Sequence, residues 1–323
     1  CFIGGNIAHG SGGPRVVKYG TIREYVLNLE VVLPDGEIIW TGANTLKYAS
    51  GYNLTQLMIG SEGTLGIITK IVLKLISRPT QNLVMLASFP GNEQACEAVS
   101  AIFRARVTPS TLEFMERKAV EWVIEYDHFQ FDLKDEAQAF LMIEVDGNDL
   151  DVLLTDCEKI NEVLENNSCS DVLFADTAAQ KEAIWRLRRT MPLSVKSNSI
   201  YKEEDTVVPR AELAKLIHGI KEIEARFGFQ SICYGHAGDG NVHINIIKGN
   251  MSDEDWNTKL KVGIRQIFEL TVSLGGTISG EHGIGSVQRE YMDIKYSEVH
   301  LNLMRGIKSV FDPKGILNPG KIF

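Results

Sequence analysis

Two histidines lie close together in GHAGDGNVHIN, residues 235–245. His236 precedes a Gly-Asp-Gly turn, and His243 follows the turn on an alternating apolar stretch. Side chains of a β-strand point alternately to its two faces, so His243 and Asn245 share one face. The other face points to the core: Val242, Ile244 and Ile246. Two converging imidazoles suit Zn, Mn or Fe. The alternative is a hairpin whose histidines bond to backbone carbonyls.

A third metal ligand has to come from elsewhere in the chain. Glu281 and His282 stand between glycines in SGEHGIG, as expected for a loop that carries functional groups. Adjacent side chains in an extended loop diverge, so the pair is not expected to bind one metal together. A helix N-terminal acid beside a solvated histidine is the alternative.

A group of arginines follows Trp185: Arg186, Arg188 and Arg189. An arginine forms a bidentate fork with a carboxylate, so this group, followed by Lys202, could hold an acidic substrate. The alternative for each arginine is a solvated helix face.

The composition restricts the class of protein. A net charge of −9 over 323 residues argues against a nucleic-acid binder. No apolar run is long enough for a transmembrane span. The chain has five cysteines, an odd number, and no CxxC pair occurs among them: Cys1, Cys96, Cys157, Cys169 and Cys233. This pattern fits a reducing compartment. We expect a cytoplasmic protein, with peripheral attachment to the inner face of a membrane as an alternative.

Two glycine-rich stretches stand in the first eighty residues. Residues 4–20 are expected to form a glycine loop, and a second loop spans residues 60–66. Such loops let the backbone approach a large ligand, although the spacing is not the dinucleotide fingerprint. Pro34-Asp35-Gly36 predicts a hairpin. From about residue 80 to 176 the order β-α-β-β-α-β predicts a ferredoxin-like domain.

Six motifs occur in order: GGNIAHGSGGPRVVKYG, VLNLEVVLPDGEII, GSEGTLGIIT, GHAGDGNVHIN, GGTISGEHGIG and FDPKGILNPGK. With them the chain resembles the FAD-linked oxidase family, in the branch that contains D-lactate dehydrogenase, glycolate oxidase and D-2-hydroxyglutarate dehydrogenase. The resemblance covers the whole chain but begins inside the flavin domain, so we expect an N-terminally truncated piece of a longer enzyme.

The resemblance implies an α+β fold in three parts. Residues 1–79 would be the second half of a two-part FAD-binding domain. Residues 80–300 would form a ferredoxin-like substrate, or cap, domain. Residues 301–323 would return to the flavin domain.

The resemblance also implies the site residues. His236, His243 and Glu281 would be metal ligands, and His282 the catalytic base. The substrate contacts would be Arg188, Lys202 and Asn245. The FAD contacts would be Gly5, Asn6, Ser11, Gly12, Gly13, Gly60, Glu62, Gly63, Gly66 and Asn318.

The function implied is metal-assisted oxidation of a small D-2-hydroxy acid to the 2-oxo acid, with hydride transfer to FAD. The cofactors would be FAD and a divalent Zn, Mn or Fe ion. Expected partners are the substrate, an electron acceptor such as a quinone or an electron-transfer flavoprotein, and a second copy in a homodimer, but no nucleic acid. The alternatives are a flavin-independent metal-dependent hydrolase, which leaves the glycine loops unexplained, and a non-catalytic fragment.

Overall fold

The computed structural model describes residues 2–323, which form two compact units. The first unit runs to residue 13 and adds residues 20–78 and 278–323. The second unit contains residues 14–19 and 79–277. Each unit mixes helices and strands, so the α+β class holds for both. Elements are numbered along the whole chain.

The first unit is built on a small antiparallel sheet. Its strands are β1 (Val26–Val32), β2 (Ile38–Trp40) and β3 (Ile67–Leu73), in the order β2-β1-β3. Its helices are α1 (Ile3–His9), α3 (Leu54–Met58), α10 (Met292–Lys295) and α11 (Glu298–Phe311). The hairpin predicted at Pro34 joins β1 to β2 and is closed by Leu33 N–H donating to Glu37 O at 2.9 Å. The core consists of Ile7, Val26, Leu29, Val31, Met58, Ile59 and Leu65.

The second unit carries the longer strands and helices. Its strands are β4 (Gln81–Phe89), β5 (Thr111–Glu116), β6 (Ala139–Gly147), β7 (Asp171–Ala175), β8 (Tyr201–Val207), β9 (Gln230–Gly235) and β10 (Asn241–Ile247). Its helices are α2 (Val16–Tyr19), α4 (Asn92–Arg104), α5 (Arg117–Asp127), α6 (Leu150–Asn166), α7 (Ala178–Asn198), α8 (Leu213–Phe227) and α9 (Asp253–Ser273).

These strands form one antiparallel sheet in the order β7-β4-β6-β5-β9-β10-β8. The first four strands of the unit, with α4 and α6, have the order β7-β4-β6-β5, which is that of a ferredoxin-like fold. The hairpin β9–β10 continues the same sheet beyond β5, and β8 closes the edge. The histidine hairpin is therefore internal to the sheet.

Helices cover both faces of this sheet. Helices α4, α6, α8 and α9 pack along one face, and α5 and α7 pack on the other. Alternation assigns the strand residues to faces. The α5–α7 face includes Met115, Ile232 and Tyr234, which are buried with apolar residues of both helices. A charged side chain on this face is therefore surrounded by hydrocarbon unless another polar group is placed beside it.

The unit boundaries differ from those expected. Residues 14–19 join the second unit because their side chains bond to β6: Arg15 lies 2.9 Å from Glu144, and Lys18 lies 2.6 Å from Asp146. At the other end, the return to the first unit begins at residue 278, whereas the sequence indicated residue 301.

The prediction that the first glycine-rich stretch is a loop is wrong in part. Gly5 and Asn6 lie within α1, which ends at Gly10 in the left-handed conformation. Gly10 N–H donates to Ile7 O at 3.0 Å, so it ends the helix as a glycine cap does. Among residues 2–323, no helix combines the length and the apolar character that crossing a bilayer requires.

Candidate active site

The turn between β9 and β10 places the two histidines. Asn241 N–H donates to His236 O at 3.1 Å, which closes the turn. Gly240 has φ +84°, and a Cβ there would stand 1.9 Å from the backbone oxygen of Val208. No other residue fits at that position without backbone movement. The close approach of the Val208 backbone thus explains why the motif has a glycine at position 240.

His236 and His243 come together on the α5–α7 face of the sheet. Their ring centroids are 5.3 Å apart and the rings are nearly perpendicular. Both side chains are more than nine-tenths buried. His243 pairs across the strands with Tyr234, whose ring centroid lies 5.8 Å away. The convergence predicted from alternation is present within the second unit.

Glu113 on β5 is a fully buried carboxylate beside His236. Its two oxygens lie 2.8 and 2.9 Å from Nδ1 of His236. Burial alone would raise the pKa of Glu113, but the neighbouring His236 and Arg188 lower it below its usual value. An ionised Glu113 favours a proton on Nδ1, so Nε2 of His236 is left as the ligand or acceptor atom.

Arg188 on α7 is bound by the same carboxylate. Its Nε donates to Glu113 Oε2 at 2.7 Å, and its guanidinium lies 5.0 Å from the centre of the Tyr234 ring. The other two arginines of the group are solvated: Arg186 pairs with Asp127, and Arg189 pairs with Glu182. Only Arg188 of the three is therefore placed with the histidines.

Strand β8 brings two more carboxylates to this face. Asp205 pairs in register with His243, and Glu203 pairs with Asn245. Glu203 Oε1 lies 3.6 Å from His243 Nδ1, and Asp205 Oδ1 lies 3.9 Å from the same atom. Asp205 is buried and accepts from the Asn241 amide at 2.6 Å. Asn245 is buried as well, and its amide nitrogen donates to Ile232 O at 3.3 Å.

The structure does not place Lys202 with these residues, so its predicted role as a substrate contact is corrected. Lys202 pairs in register with Ile246, which lies on the opposite face of β10 from His243. Its ammonium lies 3.4 Å from Glu204 on that opposite face. The strand alternates strictly, so Glu203 takes the position that the sequence indicated for Lys202.

Seven residues form what we call the histidine face: Glu113, Arg188, Glu203, Asp205, His236, His243 and Asn245. They bring three carboxylates together with one guanidinium. Imidazole and carboxylate groups are ligands that Zn, Mn and Fe accept in proteins. The set therefore suits a cation.

Glu281 and His282 belong to the first unit. The prediction that their side chains diverge is wrong, because His282 Nε2 lies 3.8 Å from Glu281 Oε1. The chain bends through these residues instead of extending, and adjacent side chains can then point the same way. Ring nitrogen Nδ1 of His9 lies 3.0 Å from the His282 backbone oxygen, which ties the bend to the end of α1.

The two glycine stretches of the first unit lie side by side. Gly60 N–H donates to Ile7 O at 3.0 Å, and Glu62 N–H donates to Ala8 O at 2.8 Å. Gly5 and Gly13 have open space where a side chain would stand. Asn6 lies between them in sequence, and the segment after α1 continues through Ser11 and Gly12. A flat, large cofactor could approach such a surface closely.

Other predicted flavin contacts have structural roles within the first unit. The Glu62 carboxylate accepts from Ile284 N–H at 2.7 Å and from Gly285 N–H at 2.8 Å. Asn318 donates to the Glu62 backbone oxygen, and Gly63 lies beside Asn318. A Cβ at Gly66 would stand 2.3 Å from Val31, so that glycine permits packing on β1.

Three carboxylates of the histidine face were not predicted from the sequence: Glu113, Glu203 and Asp205. A signal exists for Glu113, because an acidic residue within the apolar strand TLEFME has to be paired when it is buried. Glu203 and Asp205 could be predicted only by knowing which alternate residues of β8 face the histidines. The sequence YKEEDTVV does not show this.

Two family models match the chain. The family of FAD linked oxidases, C-terminal domain, matches residues 78–322, and the FAD binding domain matches residues 1–42. In fold, the chain is similar to p-cresol methylhydroxylase, with a TM-score of 0.74, 15% identity and coverage of 99% of this chain and 68% of that one. A second similar fold is alkyldihydroxyacetonephosphate synthase, with a TM-score of 0.63, 20% identity and coverage of 98% and 57%.

Curated relatives match over almost the whole chain. Glycolate oxidase subunit GlcD of Bacillus subtilis is 38% identical over 99% of this chain and 68% of the relative. The D-lactate dehydrogenase of Anaerostipes hadrus is 38% identical over the same shares. The D-2-hydroxyglutarate dehydrogenase of Xanthomonas citri pv. viticola is 35% identical over 100% and 68%. The chain thus spans about two thirds of each relative's length, and it belongs to the FAD-linked oxidase family of flavin-dependent oxidoreductases.

Proposed function

We propose that the chain is the substrate-binding part of a flavin-dependent dehydrogenase that oxidises a small D-2-hydroxy acid to the 2-oxo acid. The relatives named for glycolate, D-lactate and D-2-hydroxyglutarate support this substrate class. The observation that carries the proposal is the histidine face. Its buried carboxylate, Glu113, joins the buried imidazole of His236 to Arg188, and the buried imidazole of His243 lies beside that of His236.

We also propose that His236, His243 and Glu281 hold a divalent cation. The donor set supports this, because imidazole and carboxylate suit Zn, Mn or Fe. Glu113 supports it further, since a carboxylate behind Nδ1 is the usual partner of a metal-binding histidine. A cation held there would lower the pKa of the substrate hydroxyl group.

FAD is proposed to lie against the glycine stretches of the first unit. The open space at Gly5 and Gly13 supports this, as does the pairing of Gly60 and Glu62 with the end of α1. Glu62 and Asn318 would fix the loop through the hydrogen bonds of their side chains rather than contact the flavin. The bound flavin supplies the hydride acceptor, and the protein supplies position and electrostatics.

The chain's own residues bind the substrate and accept its proton. Arg188 holds the substrate carboxylate through the guanidinium nitrogens that Glu113 does not use, which orients C2 of the substrate. His282 takes the hydroxyl proton as the hydride leaves C2, so the substrate loses two electrons and two hydrogens. Asn245 stands beside His243 and limits the orientation of the bound acid. The final electron acceptor is proposed to be a quinone or an electron-transfer flavoprotein.

The FAD-loaded enzyme, mixed without oxygen with D-lactate, glycolate or D-2-hydroxyglutarate, tests the function. At least one of these acids should bleach the flavin absorbance and yield the matching 2-oxo acid. L-lactate is the control for stereochemistry and should bleach it far more slowly. A flavin that stays oxidised with all three acids would overturn the proposal.

Variants of the adjacent pair test the assignment of roles. Glu281→Ala should lose metal and turnover together. His282→Ala should keep the metal and lose about 10² to 10⁴ in the rate of flavin reduction, the usual contribution of a positioned general base. Metal content by mass spectrometry and single-turnover absorbance measure the two effects. If His282→Ala strips the metal while Glu281→Ala retains it, the roles are reversed.

A further inference from the structure

The carboxylate of Glu203 is the one acidic group of the histidine face that solvent reaches. Its side chain is 30% exposed, whereas the side chains of Glu113 and Asp205 are exposed by 1% or less. Glu113 is engaged by His236 and Arg188, and Asp205 accepts from Asn241. A molecule that enters over the histidines therefore meets the charge of Glu203 before that of the other two carboxylates.

Strand register fixes where Glu203 stands. It pairs directly with Asn245 and lies 3.6 Å from Nδ1 of His243. Arg188 is the guanidinium of the histidine face, and one side of it is already bound by Glu113. The face therefore offers a site for one carboxylate group. Lys202, the neighbouring cation on β8, points to the opposite face of the sheet and does not serve a second carboxylate.

We propose that Glu203 sets substrate selectivity by charge, so that the enzyme prefers 2-hydroxy acids with an uncharged side chain over acids that carry a second carboxylate. This inference rests on the proposed function and narrows its substrate class. A second carboxylate that approaches Glu203 meets a like charge in a partly desolvated site. Like-charge contacts of this kind are costly, and they discriminate between partners more than they change the common affinity.

Two substrates measured on the same variant test this. In the FAD-loaded wild-type enzyme, kcat/KM for D-lactate should exceed kcat/KM for D-2-hydroxyglutarate. Glu203→Gln should raise the D-2-hydroxyglutarate-to-D-lactate ratio at least about tenfold, and Glu203→Asp, which keeps the charge, should leave that ratio within about threefold of wild type. Because each ratio is taken within one variant, a common loss of metal or flavin cancels.

The matched control is Glu158→Gln, an exposed acid on α6 at the opposite face of the sheet, which should not change the ratio. If Glu203→Gln loses turnover with both acids, the dissociation constants of D-lactate and D-2-hydroxyglutarate, read from the flavin absorbance shift, give the same ratio. Active wild-type enzyme with an unchanged ratio in Glu203→Gln overturns the role of Glu203 alone. Wild-type enzyme that reduces its flavin with neither acid, nor with glycolate, overturns the proposed function.

Discussion

The histidine face of the second unit and the glycine loops of the first unit each depend on one carboxylate, but these carboxylates hold different kinds of group. Glu113 accepts from two side chains that can carry positive charge, His236 and Arg188. Glu62 accepts from two backbone N–H groups, of Ile284 and Gly285. Substitution of Glu113 should therefore change the chemistry of the site, and substitution of Glu62 should change the shape of a loop.

The largest difference is expected from Glu113→Gln. The amide no longer carries the charge that orients His236 and Arg188, so metal affinity and kcat/KM should each fall about 10- to 100-fold. The matched control is Glu116→Gln, since Glu116 is also buried on β5 and paired with Lys221, but on the other face. Both variants should lose stability, and only Glu113→Gln should lose metal. Equal metal retention in Glu113→Gln and Glu116→Gln would contradict the proposal that only the α5–α7 face of the sheet supports metal binding.

Arg188→Lys should have the next largest effect. A lysine keeps the charge but loses the planar fork, so KM for the hydroxy acid should rise about 10-fold or more while kcat falls less. Arg186→Lys, at an exposed arginine paired with Asp127, is the control and should stay near wild type. Steady-state kinetics with one substrate measures both. A similar rise in KM for the two variants would mean that burial of Arg188 has no role in binding.

Glu62→Gln should weaken the binding of FAD. One backbone N–H loses its acceptor, which costs about 1 kcal/mol and should raise the FAD dissociation constant several-fold. Turnover at saturating FAD should stay close to wild type, unlike that of Glu113→Gln. Glu37→Gln, in the exposed hairpin, is the control. Fluorescence titration of the apoprotein with FAD measures the affinity, and an unchanged constant would show that the loop does not depend on Glu62.

The two buried glutamates of β5 should respond to pH with opposite signs. The cationic neighbours of Glu113 lower its pKa, so its stabilisation is present above the usual glutamate pKa of about 4.3 and is lost as pH falls through the lowered value. Burial raises the pKa of Glu116, so its contribution is present below about pH 4.3 and is lost as pH rises through the raised value.

Urea unfolding of the metal-free protein across this range measures the contrast. The advantage of wild type over Glu113→Gln should shrink as pH falls. The advantage of wild type over Glu116→Gln should grow over the same range. Parallel pH profiles for the two variants would contradict the assignment of opposite environments to the two faces.

The smallest effect is expected from Lys202→Gln. Lys202 lies on the face away from the histidines and pairs with the buried carboxylate of Glu204. Loss of this partner should cost stability because Glu204 is buried, but KM for the hydroxy acid should change less than about twofold because Lys202 does not lie on the histidine face. Kinetics of this variant beside Arg188→Lys provides the comparison. A rise in KM as large as that of Arg188→Lys would restore the role in substrate binding that the sequence indicated.

Much of this fold could be predicted from local sequence. The β9–β10 hairpin follows from alternation around a glycine turn. The predicted β-α-β-β-α-β order of residues 80–176 holds for the four strands with α4 and α6, but helix α5, which was not predicted, lies between β5 and β6. In the first glycine-rich stretch, dense glycines disfavour a helix and predict a loop. Residues 3–9 are nonetheless helical, since Ile7 is buried in the core and Gly10 supplies the cap. Tertiary packing there outweighs local propensity.

The candidate site was predictable only where one short segment contains the residues. His236 and His243 share a hairpin, so their approach could be inferred from spacing. Glu113 lies 123 positions before His236, and no local pattern connects them. The assignment of Lys202 failed because the faces of β8 are set by its register with β10. A shift of one residue exchanges the two faces of a strand.

The metal dependence of flavin reduction decides most directly whether the histidine face holds a working cation. FAD-loaded enzyme would be stripped with a chelator, mixed without oxygen with D-lactate, and then given Zn²⁺, Mn²⁺ or Fe²⁺ one at a time. Reduction of the flavin should slow by at least about tenfold in the stripped enzyme, and one of these ions should restore it. No ion should restore it in His243→Ala. A stripped enzyme that contains no metal and reduces its flavin at the original rate would contradict the role proposed for the two histidines.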